Sequence, residues 1–192
     1  ANTLKLRDAA PSYVSAQSSV VLRDMIHRGF TTVRDAAGAD YGIAAAVDEG
    51  YFVGPRLLFS GHALSQTGGH ADMRSRGEDV DYFCPACAGR TGRVCDGDHE
   101  VRRAARDELR KGATQIKIMV SGGVTSPLDR IDSTQFSIGE MRAAVEEAEA
   151  QGRYVMAHAY TAKSINRALS AGVRSIEHGN MLDEATADAI VA

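Results

Sequence analysis

Two hydrophobic rhythms alternate along this chain. Apolar positions three and four apart mark residues 13–28 as an amphipathic helix, with Val14, Val21, Met25 and Ile26 as apolar positions and Gly29 as its stop. FTTVR at 30–34 then reads as a strand ending at Asp35. Residues 41–49 form a short alanine-rich helix stopped by Gly50, and RLLFS at 56–60 is the next strand. After a long irregular stretch, 100–111 is a charged amphipathic helix ending at Gly112, and the strand QIKIMV follows at 115–120. Residues 137–150 are a clear helix, because Ser137 and Glu140 have the capping-box spacing. Strands at 154–157 and 173–177 then alternate with helices at 161–170 and 183–191.

Strand followed by helix, repeated after an opening helix, implies βα units on a parallel sheet. A doubly wound sheet and a (β/α)8 barrel both fit. No GxGxxG follows the first strand, which weakens the dinucleotide-binding version. Asp35, Ser60, Lys117, His158 and His178 all fall at or near the carboxyl ends of strands. That edge is where α/β sheets and barrels build their chemistry.

Composition narrows the class further. The 192 residues are 44% hydrophobic and 24% charged with net charge −3, an ordinary globular composition without the basic excess of a nucleic-acid partner. No apolar run approaches the roughly 18 residues of a membrane span, and the first residues hold no apolar leader core. Three cysteines are an odd number, which argues against a closed disulfide framework and makes a reducing cytoplasm the default.

The candidate chemistry centres on a lysine inside an apolar strand. An ammonium is almost never fully buried unless it is paired or chemically changed. Lys117 could be salt-bridged to Glu177 or Asp35, act as a Schiff-base nucleophile, or carry carbon dioxide as a carbamate. His158 in YVMAHAY and His178 in RSIEHGN are 20 residues apart, one βα repeat, which puts their imidazoles on neighbouring strands beside Lys117. A single strand-end histidine is more often a structural hydrogen-bonder; two beside a buried lysine favour metal ligation. Only the carbamate makes use of both histidines.

The segments IKIMVSGGV, YVMAHAYT, SIEHGNMLD and ALSQTGGHAD, in that context, resemble the amidohydrolase superfamily. More narrowly they are similar to its imidazolonepropionase-like, Xaa-Pro dipeptidase (prolidase) and arginine carboxypeptidase-type branch. The resemblance implies a (β/α)8 barrel with a two-zinc centre, Lys117 as the carboxylated bridging lysine, and His158 and His178 as ligands of the second metal. It implies that His70 and Tyr160 touch the carboxylate or polarised carbonyl of a substrate, a dipeptide or N-acyl amino acid with a free carboxylate. The chain departs from the pattern in having no HxH pair and no eighth strand with its aspartate, against the ~250 residues of a whole barrel. The expectation is a central part of one barrel domain, about strands two to six, inactive in isolation and a homo-oligomer when whole.

Cys84, Cys87 and Cys95, with His99, raise a weaker possibility of a structural zinc site within an insertion at about 61–98, whose residues 82–95 could act as a lid or oligomer contact. Arg74, Arg76 and Arg130 are candidate carboxylate partners, while His27 and His62 read as structural. Two rival functions stay open: a lysine Schiff-base lyase on a barrel, and a non-catalytic zinc-binding or assembly module.

Overall fold

The computed structural model describes residues 9–77, 91–126 and 128–191. Its elements follow the alternation in the sequence: α1 (Pro11–His27), β1 (Thr32–Arg34), α2 (Tyr41–Asp48), β2 (Arg56–Leu58), β3 (Ala63–Ser65), β4 (Gly92–Val94), α3 (Gly97–Arg110), β5 (Ile116–Met119), α4 (Ile138–Glu149), β6 (Val155–Thr161), α5 (Ala162–Ser170), β7 (Ser175–Met181) and α6 (Glu184–Val191). β1 pairs with β2, and a second sheet runs β4-β3-β5-β6-β7, all parallel. Among the described residues no helix is long and apolar enough to cross a membrane.

β2 and β3 are two halves of one line broken at Gly61, whose φ of 68° suits a residue without a Cβ. The first half bonds to β1, and the Phe59 carbonyl takes the Thr114 amide before Leu64 pairs with Ile118 of β5. The two sheets therefore form one arc of parallel strands with helices on one face, the architecture of a partial (β/α)8 barrel. β3 and β4 lie inside the stretch expected to be an irregular insertion, so its ends are strands. Residues 78–90, with Cys84, Cys87 and most of the expected lid, lie outside the described residues.

Strand alternation sorts the side chains. Ile116 and Ile118 of β5 and Val155, Ala157 and Ala159 of β6 pack with Val101, Ala105, Met141, Ala144 and Ile165 from the helices. This continuous apolar layer holds the strands in register. The intervening residues, Lys117 on β5 and Met156 and His158 on β6, belong to the opposite, inward face. The helices are capped as their sequences require: Ser137 with Glu140, and Thr161 with Ser164, both form capping boxes. Arg102 and Arg106 of α3 pair with Glu146 and Glu147 of α4, tying the outer layer together.

Candidate active site

Lys117 is 2% exposed, and burial pushes its amine down to about 8. Neither of the two carboxylates that could have neutralised it forms a salt bridge with it, although the charge of Glu177 still favours the ammonium through space. Glu177 Oε1 lies 2.7 Å from Arg34 Nη2 and also accepts the Ser175 hydroxyl. Asp35 accepts the amides of Ala37 and Ala39, and burial raises its pKa. Among the described residues no hydrogen bond or ion pair reaches the Lys117 ammonium.

His158 is 3% exposed, and its Nε2 lies 3.0 Å from the Gly122 carbonyl. A carbonyl only accepts, so the proton sits on Nε2 and the Nδ1 lone pair is free. Burial drives its pKa down to about 3, so the ring is neutral through the physiological range.

His178 reaches the same place by a less regular route. The β6–β7 ladder pairs His158 with Glu177 and Ala159 with His178, and Ala159 belongs to the helix-facing core. By strict alternation His178 would face the helices. Its φ is +78°, followed by Gly179 at +63°. Between the pairs Ala159–His178 and Thr161–Met181 β6 advances 161 − 159 = 2 residues while β7 advances 181 − 178 = 3. That extra residue is a bulge, a device that re-aims a side chain. The His178 ring stands 4.7 Å from that of His158, edge to face. His178 is exposed, because β7 is the edge strand of the sheet, and desolvation and Lys117 lower its pKa.

The two expected substrate-contacting residues join this cluster. Tyr160 stacks on His178 at 5.1 Å and meets His158 edge-on at 5.1 Å. His70 sits on the loop after β3, 7% exposed, its ring stacked 4.2 Å from His158. Gly123 makes that approach possible, since a Cβ there would overlap the His70 ring. Burial lowers the His70 pKa, opposed by Asp129.

Residues missed by the sequence reading include Arg34, which crosses from β1 to Tyr154, Ser175 and Glu177 on the far strands, and Asp129 with Gln135, which hold His70. Three-residue strands and loop carboxylates carry no motif that could have singled them out. Other candidates fall away from the cluster. Arg74 is engaged by Asp72 and Arg130 by Asp132, and Arg76 is an exposed loop residue. His62 pairs with the buried Glu108. His27 ends α1, as expected of a structural residue. Cys95 is buried, and desolvation pushes its thiol up to about 12, while His99 is exposed on α3.

For a metal ion, the donor set is chemically apt and incomplete. Among the described residues no three His, Cys, Asp or Glu side chains gather closely enough to hold an ion. Two neutral imidazoles and an unpaired lysine with a lowered pKa fit such a group, provided the lysine becomes an oxygen donor.

These residues line the carboxyl edge of a partial barrel, and the chain belongs to the amidohydrolase family, whose sequence profile matches residues 2–192. It is 41% identical over 170 residues to an ochratoxinase of Aspergillus niger, covering 84% of this chain and 35% of that protein. A solved prolidase complexed with N-methylphosphonate-L-proline superposes with a TM-score of 0.94 at 52% identity, over 97% of this chain and 46% of the other. A solved Xaa-Pro dipeptidase with bound methionine superposes at 0.83 and 33% identity, over 96% and 45%. The chain thus spans less than half the length of these relatives.

Proposed function

We propose that the protein of which this chain is part is a metal-dependent hydrolase of carbon–nitrogen bonds, acting on Xaa-Pro dipeptides or N-acyl amino acids with a free carboxylate. The observation that carries this reading is Lys117: buried, in no salt bridge among the described residues, and beside two neutral imidazoles. Membership of the amidohydrolase family and likeness to prolidase, dipeptidase and ochratoxinase support it.

In this reading the Lys117 amine adds to carbon dioxide and releases one proton, and the resulting carbamate is an anionic oxygen ligand. Removing the positive charge relieves the cost of burying it. His158 donates Nε2–H to Gly122 and offers Nδ1, with His178 as its partner ligand. The bound metal, zinc in this proposal, supplies activated water and a polarised carbonyl. His70 and Tyr160, whose rings flank the two ligand histidines, contact the substrate, with the Tyr160 hydroxyl as the donor to its carbonyl or carboxylate.

The test is hydrolysis of Xaa-Pro dipeptides by the complete protein together with elemental analysis. Wild type is expected to contain zinc and release proline, and Lys117→Ala, His158→Ala and His178→Ala to lose both. An unpaired lysine of lowered pKa also suits a Schiff base. Borohydride trapping of a carbonyl substrate on Lys117, with no metal in an active protein, would overturn the hydrolase reading.

A further inference from the structure

The loop after β5 contains a carboxylate placed at a cost. The Asp129 side chain is only 3% exposed, and its Oδ1 is buried without a hydrogen-bond partner among the described residues. Such an orphan oxygen destabilises a fold and calls for a reason. Its other oxygen, Oδ2, lies 3.3 Å from His70 Nδ1 and accepts from Gln135 Nε2 at 2.9 Å. Gln135 closes the ring of contacts by accepting the His70 backbone amide through Oε1 at 2.8 Å. The same two residues therefore grip His70 by both its backbone and its imidazole. Gly123 and His158 confine the ring itself.

We infer that Asp129 is a positioning residue that assigns the His70 proton to Nδ1 and aims its Nε2 into the site. A carboxylate cannot donate, so a neutral His70 facing Asp129 carries its hydrogen on Nδ1. The nitrogen left for the reacting groups is Nε2, which then presents a lone pair that accepts from an N–H or O–H of the bound substrate or water, while the Tyr160 hydroxyl is the donor for the carbonyl or carboxylate. Fixing a tautomer through the far ring nitrogen is how carboxylates set the direction of histidine chemistry. The assignment rests on the proposed hydrolase function only for its effect on turnover; the tautomer stands on the geometry alone.

The experiment uses the complete protein with ring-15N histidine and glycyl-proline as substrate. Long-range proton–nitrogen spectra are expected to show the His70 proton on Nδ1 in wild type and a mixture or Nε2 in Asp129→Ala. In that variant kcat should fall about 10–100-fold, with a smaller change in KM. Asp129→Asn retains an acceptor and should restore the Nδ1 tautomer and much of kcat. Unchanged tautomer and kcat in Asp129→Ala, with only the melting temperature lowered, would show a purely loop-closing role and overturn the inference. A wild type that cleaves no amide substrate would refute the hydrolase reading instead; the tautomer spectra of wild type and Asp129→Ala would still decide this one.

Discussion

Arg34 and Glu177 meet at 2.7 Å although they stand on β1 and β7, strands that belong to different sheets. Arg34 also donates to the Tyr154 hydroxyl at 3.0 Å. The pair turns the Glu177 carboxylate toward Arg34 rather than into a salt bridge with Lys117; Glu177 still favours the Lys117 ammonium through space, and the Arg34 cation opposes it. Removing Arg34 should free Glu177 to hold Lys117 charged. Arg34→Met is expected to reduce turnover by about 10–100-fold, the range for outer ligand-orienting groups. Adding Glu177→Gln should recover part of it, so that a double-mutant cycle shows coupling. Independent, additive effects would refute the relationship.

Lys117 carries the most direct test. Complete protein equilibrated with 13C-labelled carbon dioxide should show one carbamate resonance that Lys117→Arg lacks. Lys117→Met should also lose at least ~100-fold in activity while retaining the fold, because a neutral side chain of similar volume replaces a costly one.

His178 occupies left-handed backbone, a conformation that asparagine and histidine tolerate and β-branched residues do not. His178→Asn should unfold within ~0.5 kcal/mol of wild type and bind less metal by elemental analysis. His178→Val should lose the same metal and in addition ~1–3 kcal/mol of stability in urea melts. Equal stability of the two variants would contradict the strain at this position.

Glu108 sets an acid limit on the scaffold. Burial pushes its carboxyl up, but His62 and Lys111 outweigh this and hold its pKa below the usual glutamate value. A depressed native pKa means the unfolded chain binds more protons in this range, so stability rises with pH. The contribution is complete above the unfolded pKa of ~4.3 and is lost as pH falls through the lower native value. Glu108→Gln should flatten that limb of the stability–pH curve and cost ~1–3 kcal/mol near neutrality. An unchanged acid limb would exclude Glu108 as its source.

Much of the barrel pattern is legible because helices α1 to α6 carry clean periodicity and stops such as Gly29, Gly50 and Gly112. The capping box at Ser137 is readable for the same local reason. β3 and β4 escaped because ALS and GRV form no apolar run among the glycines and polar residues around them, unlike FTTVR and RLLFS, and Gly61 breaks the strand line between β2 and β3. The site residues Lys117, His158, His178, His70 and Tyr160 were nameable from motifs, and the ring contacts gather the four aromatic ones. What no periodicity exposes is the wiring between them. Arg34 to Glu177 spans 143 positions and His70 to Asp129 spans 59, so only the closed arc brings these partners together.

The extra residue in β7 has a consequence for how compactly this chain encodes its interior. In an unbroken strand two consecutive side chains serve opposite layers, yet Glu177 pairs with Arg34 inside the arc while its immediate successor meets His158 on the same side. Deleting Gly179 would restore the two-residue rhythm, turn the imidazole toward the helix layer as Ala159 is turned, and strip His158 of its neighbour although both histidines were still encoded.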